Sequence, residues 1–198
     1  MGRGEGFHQG SCLGISTSIW FWWSIALPVL HQVWVVVCWR LELHHRWLSR
    51  TFGETGFRLY AVGFALWSAG RFLTIIPLAI ANQGTVDVDG RLLNGLAVVI
   101  AVPTIYLFYS VARYFGFRRA LGIDHFDSSY RQKTFVRQGI FRFTRNGMYT
   151  VGFGAVWLPG LLCASQAALL SALFSHLYIW VHYLCTEVPD MRRIYGES

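Results

Sequence analysis

Residues 148–185 read MYTVGFGAVWLPGLLCASQAALLSALFSHLYIWVHYLC. Two apolar segments, about 148–164 and 167–185, are separated only by Ser165 and Gln166. So short a join forces consecutive helices to run antiparallel. The resulting hairpin returns both of its open ends to one surface. Those ends carry the two most patterned polar stretches of the chain: Lys133–Gly152, KTFVRQGIFRFTRNGMYTVG, and Glu187–Glu197, EVPDMRRIYGE. A pocket assembled from both is therefore expected at that surface.

Three more apolar segments precede the hairpin, at about 14–39, 59–81 and 92–114. Each meets the roughly 20 apolar residues that a bilayer crossing needs. Composition agrees: 54% of the 198 residues are hydrophobic and 14% charged, with a mean hydropathy of +0.40. These values are far from those of an ordinary soluble chain. The expected fold is all-α, a polytopic membrane bundle of about five transmembrane helices forming a single domain over residues 1–198. With the N-terminus outside, the cytoplasmic pieces hold Arg40, Arg46, Arg50 and Arg58, then Arg113, Arg118, Arg119, Arg131, Lys133, Arg137, Arg142 and Arg145, then Arg192 and Arg193. Fourteen of the 17 Lys and Arg residues thus face one side. The far side keeps Arg3 and Arg91, the asymmetry that sets membrane orientation. A first segment only half inserted would leave four crossings, with both polar stretches still on the cytoplasmic face. The first segment has no small-residue cleavage site and reads as a retained helix.

Several function classes are excluded. Cys12, Cys38, Cys163 and Cys185 lack CxxC spacing and read as packing residues, so no metal is expected. The basic residues lie beside membrane spans, which accounts for them without nucleic acid. Residues 40–58, rich in Arg, His and aromatics, read as an interfacial segment. Arg71 falls within the second span, where a charge costs about 2.5–3.5 kcal/mol. It either faces a ligand or is held by helix carbonyls and snorkels.

Four motifs in order resemble the small phosphatidylethanolamine N-methyltransferases and their isoprenylcysteine carboxyl methyltransferase relatives. Arg40-x-Glu42-x-x-x-Arg46-x-Leu48-Ser49-Arg50-x-Phe52-Gly53 is similar to the family's first interfacial stretch. Leu121-Gly122-Ile123-Asp124-His125-Phe126 is similar to its LG-D-Y-F segment, with one residue inserted. Arg145-Asn146-Gly147-Met148-Tyr149 resembles N-P-M-Y, and Glu187-Val188-Pro189 with Tyr195-Gly196 resembles the E-E-P tail. Gly147 stands where the family has Pro, and Val188 where it has the second Glu.

The resemblance implies an S-adenosylmethionine-dependent methyltransferase acting on a phospholipid headgroup amine. The alternatives are a prenylcysteine carboxylate, a thiol or another small lipophile as acceptor, or a relative without catalysis. It also implies a location in the endoplasmic reticulum of a eukaryote or the inner membrane of a bacterium, with the bilayer and a phospholipid substrate as partners. Glu187 suits the cofactor's ammonium or ribose, Arg142 and Arg145 its carboxylate, Asn146 and Gly147 the adenine edge or ribose, and Tyr149 a stacking role. An amine must lose a proton before it attacks, so a base is needed. Asp124 and His125 are the candidates. Arg113, Arg118, Arg119 and, from within the bundle, Arg71 are the candidates for binding the lipid substrate.

Overall fold

The computed structural model describes residues 10–196; Arg3 and Glu197 lie outside them. A small antiparallel hairpin, β1 (Ser11–Cys12) and β2 (Ile15–Ser16), comes first. Its two-residue turn places Leu13 and Gly14 at positive φ, the geometry that such a tight connection favours. Helix α1 then spans Thr17–His45. The expected first span, 14–39, thus starts three residues later and runs on through part of the stretch read as interfacial. Arg46 adopts the left-handed conformation and ends the helix, and α2 (Trp47–Phe52) follows. Buried Glu42 makes this corner. Its carboxylate accepts from the Ser49 N–H at 3.1 Å and from the Ser49 hydroxyl, supplying an acceptor for a donor that a helix start leaves unpaired.

Helix α3 spans Thr55–Ala81 and α4 Gly90–Ser110, the latter widening into a π turn at Val111–Phe115. A basic loop carries the short helix α5 (Phe117–Ala120) and 3-10 turns at Ile123–His125, Ser128–Gln132 and Gly139–Arg142. The first arm of the expected hairpin is a broken element rather than one helix: α6 (Gly147–Thr150), a 3-10 stretch Gly152–Trp157, and α7 (Leu158–Leu162). Gly152, Gly154 and Pro159 explain the break, because glycine weakens helix and proline starts a new one. A 3-10 stretch rises about 2.0 Å per residue against about 1.5 Å in an α-helix. The short arm therefore still reaches from Leu107 at one end of α4, beside Gly147, to Leu93 at the other, beside Leu161. The second arm is α8 (Gln166–His182), continued by a π turn at Tyr183–Glu187 into α9 (Val188–Tyr195).

Four of these helical runs, Thr17–His45, Thr55–Ala81, Gly90–Phe115 and Gln166–Tyr195, are long and apolar enough to cross a membrane. Their packing is polar inside and apolar outside. Thr17, Ser24, His31, Gln32, Arg71, Thr74, Thr104, Ser171 and Ser175 are buried, whereas Leu66, Leu73, Val99, Val102, Ile105 and Leu177 are exposed. In lipid, apolar burial gives little drive, and close approach and interhelical hydrogen bonds hold helices together. Thr104 Oγ1 accordingly donates to the Val151 carbonyl at 3.1 Å. Two helix prolines are compensated in the same way. Pro28 offers no N–H to the carbonyl of Ser24, which accepts from Ser171 Oγ at 3.5 Å. Pro189 offers none to the carbonyl of Cys185, which accepts from Arg40 Nη2 at 3.1 Å.

At the end opposite the basic loop, Asn82 stitches the hairpin turn to α3. Its Oδ1 accepts from Thr85 Oγ1 at 2.9 Å, from Ser165 Oγ at 3.2 Å and from the Ala167 N–H at 2.9 Å. The bundle thus has two ends of opposite character. One is this closed turn; the other, the basic face, gathers the loops and α9.

Candidate active site

Asp190 sits at the centre of the basic face with 1% of its side chain exposed. Its Oδ1 lies 3.2 Å from Arg40 Nη1 of α1. Its Oδ2 is 3.3 Å from His125 Nε2. The other nitrogen of His125, Nδ1, is 3.2 Å from the Gly122 carbonyl. The ring stacks on Trp39 with centroids 4.0 Å apart, and Trp39 Nε1 donates to the Tyr60 hydroxyl at 2.8 Å. Gly122 permits this arrangement. It has a φ of +76°, and a Cβ there would lie 2.4 Å from Trp39 Cζ2.

Asp124 is the second buried carboxylate. Its Oδ2 accepts from the Tyr195 hydroxyl and lies 3.8 Å from Arg119 Nε. Arg119 also donates from Nη2 to the Tyr195 hydroxyl at 3.4 Å and from Nη1 to the Thr134 carbonyl at 3.1 Å. Asp124 Oδ1 is buried without a hydrogen-bond partner among the described residues. Glu187, half-buried, ends the π turn three residues before Asp190 and has Asp124 and Asp190 as charged neighbours. No ion pair involves it among the described residues. Three carboxylates therefore converge on one point of an otherwise basic face.

The remaining expected residues fall into three places. Tyr149 packs on the end of α8, 6.2 Å from Trp180 and 5.2 Å from Tyr183 by ring centroids. Its neighbours Arg142 and Arg145 are exposed. Asn146 precedes α6 without a side-chain cap bond, and Gly147 is buried against Leu107 and Thr144, where a Cβ would meet each at 3.2 Å. Arg113 is exposed over the Tyr114 ring. Arg118 lies over Phe57 at 5.4 Å and lines a surface groove of about 790 Å³ together with Arg46 and Arg58. At the rim of that groove, hydrogen bonds from Ser129 hold the exposed Asp127 carboxyl below its ordinary pKa. Arg71 lies elsewhere, sixteen residues into α3, about 24 Å along the helix from its start at the basic face.

Neighbouring arginines thus diverge: Arg119 turns inward to Asp124, Arg118 outward to the groove. The contributions of Trp39, Arg40, Asp190 and Tyr195 were not singled out from the sequence. For Asp190 there was a signal, since Glu187 and Asp190 stand three apart on one helical run and so share a face. For Arg40 there was none beyond its place in the first motif, and for Trp39, one residue before that motif, none at all, because their partners lie far along the chain.

The profile of the phospholipid methyltransferase family matches residues 92–198, more than half of the chain. This chain belongs to that family. The phospholipid methyltransferase match covers α4 to α9 and hence Asp124, Glu187 and Asp190, while Trp39 and Arg40 come from the part before it. The chain is also 40% identical over 58 residues to a phosphatidylethanolamine N-methyltransferase of Malassezia globosa, covering 29% of this chain and 6% of that protein. The match thus spans a small part of the relative's length. No solved structure matches the chain.

Proposed function

We propose that this phospholipid methyltransferase family member transfers a methyl group from S-adenosylmethionine to the amine of a phospholipid headgroup, phosphatidylethanolamine or its methylated forms, at the cytoplasmic face. The observation that carries the reading is the convergence of Glu187, Asp124 and Asp190 on an otherwise basic surface, with Glu187 outside any ion pair among the described residues. Such a site attracts cations, and each reactant presents a cationic group, the cofactor its sulfonium and ammonium and the lipid its headgroup ammonium. The sidedness follows from the concentration of arginines on this face.

The residues present fit the cofactor. Glu187 is a free acceptor for an ammonium or a ribose diol, and the exposed Arg142 and Arg145 suit a carboxylate. The Asn146 side chain and Tyr149 stand next to them in sequence, at the start of the hairpin. When bound, the cofactor supplies an electrophilic methyl whose bond to sulfur breaks as the amine lone pair forms the new one. The chain's own work is alignment, worth up to about 7–11 kcal/mol in well-oriented systems, and removal of the amine proton. Asp124 is the proton acceptor, through the Oδ1 that no protein donor occupies. Arg119 and Tyr195 hold its other oxygen and so fix its direction. Both nitrogens of His125 are engaged, with Gly122 and Asp190. His125 therefore acts as a positioning residue for Asp190. Arg118, with Arg46 and Arg58 around the groove, offers guanidinium forks to the lipid phosphate.

The test is a labelled-methyl assay on membranes containing the wild type or Glu187→Gln. Label is expected in phosphatidylcholine or its mono- and dimethyl precursors, with a loss of at least about tenfold in the variant, the cost of one charge-assisted hydrogen bond. Label found only in protein or in a volatile product would overturn the lipid assignment, and full activity in Glu187→Gln would overturn the site.

A further inference from the structure

The interior of the bundle holds a second group of polar side chains that methyl transfer does not use. Arg71 of α3 is 8% exposed, His31 of α1 6% and His182 of α8 7%. Counted along their helices from the Asn82 end, Arg71 is ten residues in, His31 fourteen and His182 sixteen. At 1.5 Å per residue these are depths of about 15, 21 and 24 Å, so within a bilayer core of about 30 Å Arg71 lies near the middle and the two histidines lie nearer the basic face. Arg71 lies 5.4 Å above the Phe153 ring, and no described residue accepts a hydrogen bond or an ion pair from its guanidinium. Among the described residues, its Nε, both nitrogens of His31 and Nδ1 of His182 are buried without hydrogen-bond partners.

Charge makes the arrangement more pointed. Every described acidic residue, Glu42, Glu54, Asp87, Asp89, Asp124, Asp127, Glu187 and Asp190, lies toward the ends of the bundle or in its loops. Arg71 thus has no carboxylate at its own depth. A guanidinium buried at that depth is normally paired, because desolvating an unpaired charge is strongly unfavourable. His31 lies within electrostatic reach of both Arg71 and His182, so these donors act on one region. A groove of about 300 Å³ runs between α1 and α8, beside His31 in sequence through Gln32 and lined by His182 itself. It is walled by Val33, Val36, Val37 and Val181 and bears Tyr178 and His182 on its inner side. Tyr178 in turn lies within electrostatic reach of Arg71.

We propose that Arg71, His31 and His182 form an oxyanion site inside the membrane that binds the head of an anionic amphiphile, a carboxylate or a phosphate, whose acyl chain lies in the groove between α1 and α8. Arg71 supplies the charge and a planar fork that matches two oxygens. The histidines supply further N–H donors, and the valines accept the chain. The site stands on the interior of the bundle and does not rest on the methyl-transfer reading.

The test uses the full-length protein in nanodiscs of neutral lipid, with thermal unfolding followed by tryptophan fluorescence. The probes are oleate, lysophosphatidic acid, oleyl alcohol and inorganic phosphate. Oleate or lysophosphatidic acid is expected to raise the melting temperature, and oleyl alcohol, which has the same chain without the charge, is expected to leave it unchanged. Equal rises with oleate and oleyl alcohol would overturn the oxyanion, and a rise with inorganic phosphate alone would overturn the amphiphile. Arg71→Gln should weaken the response at least about tenfold, the loss of a charge-assisted contact. Without probe it should melt no lower than the wild type, since it removes an unpaired buried charge. A variant that melts lower and still responds fully would assign Arg71 a structural role and overturn the proposal. If Arg71→Gln does not accumulate, Arg71→Lys keeps the charge and loses the fork; an undiminished response in that variant would equally overturn it.

Discussion

Removing either partner of the Arg40–Asp190 pair should damage the protein to very different extents. Asp190 has 1% of its side chain exposed and Arg40 37%. Arg40→Met strands a buried carboxylate with His125 as its remaining partner. That costs about 3–5 kcal/mol for a fully buried pair, and about 3 here because Arg40 is partly solvated already. It also takes the donor from the Cys185 carbonyl that Pro189 leaves without one, at about 1 kcal/mol. Asp190→Asn instead leaves an arginine that water can reach, and costs about 1–2 kcal/mol. In a chain of this size 1 kcal/mol moves the melting temperature by about 2–4 °C. Thermal unfolding of the purified protein in detergent should therefore show a fall of about 8–16 °C for Arg40→Met and about 2–8 °C for Asp190→Asn. The double variant should melt no lower than Arg40→Met, since the stranded charge is gone. A larger loss for Asp190→Asn, or losses that simply add in the double variant, would refute the asymmetry.

Gly122→Ala forces a side chain into left-handed backbone and against Trp39, and should cost about 2–4 kcal/mol; Trp39→Phe, which shortens the obstructing ring, should recover part of that loss when the melting temperatures of single and double variants are compared. Asn82→Ala leaves the buried Ala167 N–H and Ser165 hydroxyl without their shared acceptor, so the melting temperature should fall by about 5–10 °C, with methyl transfer per folded molecule unchanged because the site is at the other end of the bundle.

Much of the architecture was open to reading because lipid imposes a strict rule: apolar runs of sufficient length must become closed backbone. The run ending at Ala81 and the turn at Ser165–Gln166 followed from that rule, whereas the last run, expected to end at 185, continues as helix to Tyr195. The first arm of the hairpin departed from it. Gly152, Gly154 and Pro159 sit in an apolar stretch whose length reads as one helix, and the break they cause is accommodated by the close fit of Gly154 against Thr104 and Ile100 of α4. At the site, Asp124, His125 and Glu187 were legible through their local motifs. Asp190 carried a signal only in its spacing from Glu187, and its pairing with Arg40 carried none, because an ion pair 150 residues apart leaves no local pattern. Nor do Arg118 and Arg119, adjacent and chemically identical, betray in sequence that one turns to Asp124 and the other to the open groove.

The bond from Arg40 to the Cys185 carbonyl also has a bearing on synthesis. The arginine emerges from the ribosome 145 residues before its partner, and Asp190 follows five residues after that. Until the final helix has been inserted, the first one presents an unmatched guanidinium at the membrane surface, and the His125 ring stacked on Trp39 still lacks its Asp190 partner. The basic end is thus the last part able to close, whereas the Asn82 turn can lock as soon as Ala167 arrives. A nascent chain passes through a stage in which the bundle is held at its far end and open at the end where lipid headgroups gather.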